Sequence, residues 1–206
     1  MKGLLIKDFL YLKQQGRTLL VLLIFFAVFS VMSGKSELNA FIGGFITAVS
    51  LVLVINTLAF DEACKWDVYA FSLPLSRKQA VLEKYVFMLI VSACFSVLGG
   101  VLYSVSQRGI NAEGLGVIFA CAGACLIICS VLLPLTYKFG IQKAKLVFLA
   151  VVFLPMIIMP LVEKTKVKGP TDAEIKMPLL FAPLILIAFI IASYFISYGI
   201  VRKKEV

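Results

Sequence analysis

The sequence predicts an all-α integral membrane protein with six transmembrane helices, an N-terminal interfacial helix and a short cytoplasmic helix. Hydrophobic residues make up 62% of the 206 positions, and the mean hydropathy is +1.05, so lipid is the solvent for most of the chain. The apolar residues form continuous runs and do not alternate with polar ones, which favours a helical bundle over a barrel.

Six apolar segments are long enough to cross a bilayer as helices, for which roughly 20 residues are needed. They lie at about 18–33, 38–60, 85–106, 114–137, 145–162 and 179–201. No internal repeat or soluble segment divides them, so we expect one transmembrane domain over residues 1–206.

The basic residues predict how these helices are oriented. Lys and Arg number 20 against 11 Asp and Glu, a net charge of +9, which in a soluble protein would suggest a nucleic acid partner. Here segments 1–17, 61–84, 138–145 and 202–206 hold 14 of the 20 basic residues. The positive-inside rule places these segments, and therefore both termini, in the cytoplasm. We therefore expect these basic residues to contact the lipid bilayer and not nucleic acid.

Residues 1–17 predict a helix that lies along the cytoplasmic membrane surface. Leu5, Phe9 and Leu12 share one side, while Lys7, Asp8 and Lys13 make the remainder polar, as in an interfacial amphipathic helix. We expect this helix to end at Gly16, before the first span.

Segment 61–84, DEACKWDVYAFSLPLSRKQAVLEK, is the longest polar interval between the first four apolar runs. It predicts a short amphipathic helix at about 63–73, with Trp66 and Tyr69 on one face, and a second helix capped by Ser76. Such a segment could present a surface to a soluble partner.

Small residues and prolines mark special positions within the spans. Gly43 and Gly44 predict close backbone approach near the outer end of the second span, and Gly99 predicts a bend or packing notch in the third. The fifth segment is short and carries Pro155 and Pro160, a pattern typical of discontinuous or re-entrant helices. The outer segment 163–178 is either a lid or a plain connector.

Three polar side chains near the inner ends of spans are candidates to line a translocation path: Asn56, Tyr194 and Tyr198. For Asn56 the alternative is a hydrogen bond to a neighbouring helix.

The five cysteines do not predict a metal site. Cys121, Cys125 and Cys129 share one face of the fourth span, but without histidines or a polar surrounding shell they are expected to pack as small hydrophobes. Cys64 stands alone in the cytoplasmic segment.

The residues that are missing exclude most catalytic functions. The chain has no histidine, which removes the zinc-protease motif and serine–histidine catalysis. No span has a charged residue at its centre, as ion-coupled transporters ordinarily do, and no phosphate-binding loop is present. The chain is therefore not expected to be an enzyme, and an energy source would have to come from another protein.

Two stretches carry a resemblance to a known family. LLIKDFLYLKQQGRTLL leads into the first span, and within segment 61–84 the run FSLPLSR is followed by Val81, Lys84 and Tyr85. This pattern resembles the permease subunit of bacterial exporter-type (type-two) ABC transporters, in particular small permeases that export peptide toxins or antimicrobial peptides.

The resemblance implies that the helix near residues 64–73 is a coupling helix docked in a groove of a separate ATP-binding cassette subunit. The residues implied in docking are apolar anchors and polar rim residues: Trp66, Tyr69 and Phe71 as anchors, and Asp61, Glu62, Lys65, Asp67 and Arg77 at the rim. ATP and Mg²⁺ would bind only to the partner, and two permeases would assemble with two ATPases in the bacterial plasma membrane.

The implied function is ATP-driven export of amphipathic or hydrophobic cargo, such as peptides, by alternating access. The alternative is a non-transporting membrane scaffold or sensor that holds a cytoplasmic partner through residues 61–84. An intramembrane enzyme is a third class, for which no nucleophile–base pair is visible.

Overall fold

A computed structural model describes residues 2–33, 36–66, 69, 77–107, 112–147 and 172–203. Long helices account for most of these residues: α1 (Lys2–Ser33), α2 (Ser36–Ala63), α3 (Arg77–Gln107), α4 (Ala112–Phe139) and α5 (Asp172–Lys203). Residues 141–147 are also helical, and the described ranges contain no strand.

All five long helices contain a stretch that is long and apolar enough to cross a membrane. These stretches are Gly3–Ser30, Leu38–Ala63, Lys78–Gln107, Gly114–Phe139 and Pro183–Arg202. They confirm the predicted all-α membrane fold and correspond to the first, second, third, fourth and sixth predicted spans. Most of the fifth predicted span, including Pro155 and Pro160, lies outside the described residues, as does most of segment 163–178.

The predicted helix end at Gly16 is wrong, because α1 continues without a break from Lys2 to Ser33. The predicted interfacial segment 1–17 and the predicted first span therefore form one helix. A glycine inside a helix costs only about 1 kcal/mol relative to alanine, and hydrogen bonding on both sides of Gly16 offsets that cost. A single glycine therefore does not by itself predict a helix end.

The helices α1 to α4 run alternately up and down, α5 runs parallel to α4, and α2 lies at the centre of the bundle. α2 packs against α1, α3 and α4, whereas α5 packs against α3 and α4. The main core lies where α2, α3 and α4 meet, and Ile46, Phe87, Met88 and Leu133 are completely buried there. α1 and α5 lie at the periphery, and their exposed apolar side chains suit a lipid environment.

Glycines allow α2 and α3 to approach at backbone distance, as their sequence positions predict. A Cβ atom added to Gly99 would lie 2.7 Å from the carbonyl oxygen of Gly43, and one added to Gly44 would lie 2.9 Å from Cys121 Sγ. Neither space can hold a methyl group without movement of its neighbours. The small residues therefore fix the spacing of α2 against α3 and α4.

Prolines lie inside two helices. The helical backbone of α5 begins at Asp172 and includes Pro178, which lies before the apolar stretch Pro183–Arg202. In α4, Pro134 lies within the helix and has no N–H to donate to the carbonyl of Ser130. Membrane helices tolerate proline where neighbouring helices supply the missing donor.

Candidate functional site at the basic end of the bundle

The candidate site lies at the end of the bundle where α1 begins, α2 ends and α3 begins, which we call the basic end. α4 and α5 also end here. The carboxylate of Glu62, at the end of α2, accepts a hydrogen bond from the backbone N–H of Ile141, and the Lys78 ammonium lies 5.5 Å from the Tyr198 ring centroid. The basic end thus brings together segments that the sequence predicts to be cytoplasmic.

Five charged side chains from three helices form a buried cluster at this end: Lys7 and Asp8 of α1, Asp61 of α2, and Glu83 and Lys84 of α3. The Lys84 ammonium lies 2.5 Å from Asp61 Oδ2, 2.6 Å from Asp8 Oδ2 and 3.8 Å from Glu83 Oε2. The Lys7 ammonium lies 2.5 Å from Asp61 Oδ1 and 3.2 Å from Asp8 Oδ1. We call these five residues the charge cluster.

The charge cluster is shielded from solvent. Asp8 is 1% exposed, Glu83 2%, Lys84 7% and Asp61 9%. Ionised groups with so little exposure must be paired, because removing one partner of a buried ion pair typically costs about 3–5 kcal/mol. Lys84, which contacts carboxylates from all three helices, holds the start of α1, the end of α2 and the start of α3 together.

The chain turns sharply immediately after the cluster. α2 ends at Ala63, and Lys65 adopts a φ of 51°, a left-handed conformation that few non-glycine residues adopt. Trp66 follows with its ring 4.3 Å from the Lys7 ammonium, a cation–π contact, and Tyr69 is 64% exposed. The first residue of segment 61–84, Asp61, is therefore itself a member of the charge cluster.

The structure distributes the eight predicted docking residues unequally. Trp66 and Tyr69 lie beyond the turn, as a docking surface requires, and Lys65 is exposed within it. Asp61, predicted at the polar rim, is instead buried and paired with Lys7 and Lys84.

The other predicted docking residues are Glu62, Asp67, Phe71 and Arg77. Glu62 is exposed, but its carboxylate bonds to the backbone at Ile141. Asp67 and Phe71 lie outside the described residues, and Arg77 is described only as the first residue of α3.

Glu62 caps the helical stretch at 141–147. Gly140 before it has a φ of +82°, and a Cβ there would lie 3.1 Å from Glu62 Oε1. A carboxylate at a helix N-terminus accepts an otherwise unpaired N–H and lies favourably in the helix dipole. Residues 62 and 141, which are far apart in the sequence, are thereby joined beside the start of segment 61–84.

A second buried polar group joins α3, α4 and α5. Ser193 donates a hydrogen bond to the backbone carbonyl of Ser130, the carbonyl left without a helical donor by Pro134. Because Ser193 thereby uses its only proton, it must accept from Tyr85 Oη, 2.6 Å away. Tyr85 then accepts from Ser197, 2.8 Å away. The three hydroxyls form one directed chain.

The polar residues predicted to line a translocation path have different surroundings. The Tyr194 ring packs edge-on against the Tyr85 ring, with 5.7 Å between the ring centroids. The Tyr198 ring makes a cation–π contact with the Lys78 ammonium. Asn56 is half-buried on α2.

Asn39 is an amide that hydrogen-bonds to neighbouring helices, and the sequence did not predict this role for it. It is completely buried at the opposite end of the bundle. It accepts from Ser30 and donates to Ser106, at 3.1 and 2.7 Å.

The cysteines are free thiols, with Cys125 and Cys129 buried. Among the described residues, no group of histidine, cysteine or carboxylate side chains could hold a metal ion.

Comparison with known families gives an almost full-length match. Residues 3–202 match a family model described as ABC-2 family transporter protein. The match includes all of segment 61–84, the charge cluster and most of each of the five long helices. A comparison with curated proteins finds no match.

Proposed function

Because this chain belongs to the ABC-2 family of transporter proteins, we propose that it is the membrane-spanning subunit of an ATP-driven exporter for amphipathic or hydrophobic cargo. The family has a transporter role, and the five apolar helices account for a multi-pass membrane subunit. ATP and Mg²⁺ would bind to a separate ATP-binding cassette subunit.

The observation that carries the proposal further is the geometry at the start of segment 61–84. The turn at Lys65 directs the chain away from α2, and Trp66 is held against Lys7 while Tyr69 is largely exposed. Aromatic side chains with these properties are the usual anchors of protein interfaces. We therefore assign Trp66 and Tyr69 as the main docking anchors, with Lys65 and Glu62 beside them.

The proposed assembly contains two copies of this chain and two ATP-binding subunits. Closure of the ATP-binding subunits on ATP would move segment 61–84, and the attached helices would alternate between inward and outward openings. The basic end would face the cytoplasm, as the positive-inside rule predicts.

The proposed cargo class is amphipathic peptides, such as toxins or antimicrobial peptides. The polar groups found deeper in the bundle are hydroxyls, including Tyr85, Ser193, Thr47 and Ser50, whereas the charge cluster lies at one end. A bundle interior of apolar side chains and hydroxyls suits a cargo with both apolar and polar faces better than it suits a small ion.

The test is purification of the tagged chain from its native membrane in mild detergent, in native form and as Trp66→Ala with Tyr69→Ala. We expect an ATP-binding subunit to accompany the native chain and to be lost from the double variant, because interface anchors contribute about 2 kcal/mol or more each. The matched control is Phe41→Ala with Phe119→Ala, which removes two aromatic residues that are 68% and 67% exposed elsewhere on the bundle.

Two results would contradict the proposal at different points. Retention of the ATP-binding subunit and of transport by the double variant would refute the docking assignment. A native chain that purifies without any ATP-binding subunit would refute the exporter and favour the scaffold.

A further inference from the structure

The charge cluster costs more than packing alone would justify. Apolar residues of similar size often replace a buried ion pair without loss of stability. Here three carboxyl groups and two ammonium groups from three helices lie together away from solvent. A buried ion pair is weak evidence for a gain in stability. Its value must lie in the geometry that it imposes.

The geometry connects the docking segment to two other helices. Trp66 contacts Lys7, Lys7 pairs with Asp61, and Asp61 pairs with Lys84. Lys84 in turn pairs with Asp8. A displacement of Trp66 therefore reaches α1 through Lys7, whereas the covalent chain leads only into α2 and α3, between which segment 61–84 lies.

The route matters because the other contacts of α1 with α2 and α3 near this end are apolar or aromatic, such as Phe9 with Phe87 and Tyr11 with Phe60. Among the described residues of α1, only Leu4, Asp8 and Ser30 are buried. Ser30 joins the hydrogen bonds at the far end. At the basic end, Lys7 and Asp8 supply the polar contacts through which α1 can follow α2 and α3.

We infer that the charge cluster is the joint through which a movement of segment 61–84 is transmitted to α1, with Lys84 as the positioning residue. This inference rests on the proposed function for its role in transport. Its structural part concerns the chain alone: Lys84 does not touch Trp66, yet it sets the position of Trp66 through Asp61 and Lys7.

The first test uses Trp66 as a reporter, since it is the only tryptophan in the chain. Acrylamide quenching of Trp66 fluorescence is measured on the purified chain in native form and as Lys84→Met, Lys7→Met and Lys13→Met. We expect Lys84→Met and Lys7→Met to increase quenching. Lys13, which is exposed on α1 outside the cluster, is the matched control and should leave quenching unchanged.

The second test measures coupling in vesicles that contain the chain and its co-purifying ATP-binding subunit, with a dye-labelled amphipathic helical peptide as the probe. The assay uses excess ATP-binding subunit, so that any weaker docking of Lys84→Met lowers hydrolysis and transport together and leaves their ratio unaffected. Peptide transported per ATP should fall about tenfold, within the usual range for the coupling of two sites. A purely structural role would lower hydrolysis and transport together.

The outcomes distinguish a failure of this inference from a failure of the proposed function. Unchanged Trp66 quenching in Lys84→Met, or an unchanged ratio of transport to hydrolysis, overturns the joint. If Lys84→Met does not fold, Lys7→Met decides, because the Lys7 side chain is 25% exposed and its loss is less disruptive. If no ATP-binding subunit accompanies the native chain, the proposed function fails, and the quenching test alone decides whether the cluster positions Trp66.

Discussion

The Ser193 hydroxyl supplies a hydrogen bond that Pro134 removes from another helix. Pro134 leaves the Ser130 carbonyl without its helical donor, and the Ser193 hydroxyl on another helix supplies a replacement. In a bilayer no water is available to take that role. The same hydroxyl accepts from Tyr85, so one serine satisfies two buried polar groups and joins three helices.

We expect Ser193→Ala to lower the free energy of unfolding in detergent by about 1–2 kcal/mol, because the Ser130 carbonyl becomes an unsatisfied buried acceptor. Thermal unfolding followed by fluorescence or circular dichroism measures the loss. Ser96→Ala is the control, since Ser96 bonds only to the carbonyl of Ser92 in its own helix. In a Pro134→Ala background the residue-134 N–H can serve Ser130, so the cost of Ser193→Ala should shrink. An equal cost in both backgrounds would contradict this account.

At the scale of elements, the packing of α2 on α3 depends on two glycines and one charge cluster. The Gly43–Gly99 contact sets the spacing near one end, where the backbones meet, and the charge cluster joins the same helices at the other. Interfaces between membrane helices use small residues in this way because close backbone contact increases van der Waals attraction. The two contacts together define the angle and register of the pair.

Gly99→Ala should destabilise the protein by about 1–3 kcal/mol, because the new methyl group meets the carbonyl of Gly43 and the two backbones must separate. Gly16→Ala is the matched control: nothing lies within 4 Å of the added Cβ, and α1 should gain up to about 1 kcal/mol of helix stability. Thermal unfolding compares the two variants. Destabilisation by Gly16→Ala would mean that Gly16 ends a helix after all.

At the scale of the whole molecule, the two ends of the bundle differ in chemistry. The basic end contains the charge cluster and the start of segment 61–84, while the opposite end is joined by the neutral residues Ser30, Asn39 and Ser106. The difference agrees with the predicted orientation, in which the basic end faces the cytoplasm and its anionic lipids.

Cys64 allows a direct test of orientation, since it is exposed at the basic end. A membrane-impermeant maleimide should fail to label Cys64 in intact cells and should label it after permeabilisation, and Cys64→Ser should remove that label. Arg108 lies between the third and fourth predicted spans, on the side opposite to the predicted cytoplasmic segments. Arg108→Cys should therefore be labelled in intact cells when Cys64 is replaced. The reverse pattern would invert the topology.

Several features were predictable because local composition decides them. Span positions follow from hydropathy, since a segment surrounded by lipid must be apolar and must satisfy its own backbone. The close approach at Gly43 and Gly99 was also predictable, because a residue without a side chain is informative in itself. Gly16 gave a false signal, since a lone glycine is compatible with both a helix end and a helix interior.

The sequence by itself determined that the chain is a membrane-embedded helical bundle, where most of its spans lie along the chain, and that segment 61–84 is the longest polar interval between the first four apolar runs. Only the tertiary structure decided that Asp61 is buried with Lys7 and Lys84, that Ser193 completes the helix of Pro134, and that Asn39 joins helices. Hydropathy acts residue by residue and can be read from local sequence. An ion pair or hydrogen bond depends on where its partner lies, and three of these pairs join residues 54, 63 and 67 positions apart in the chain.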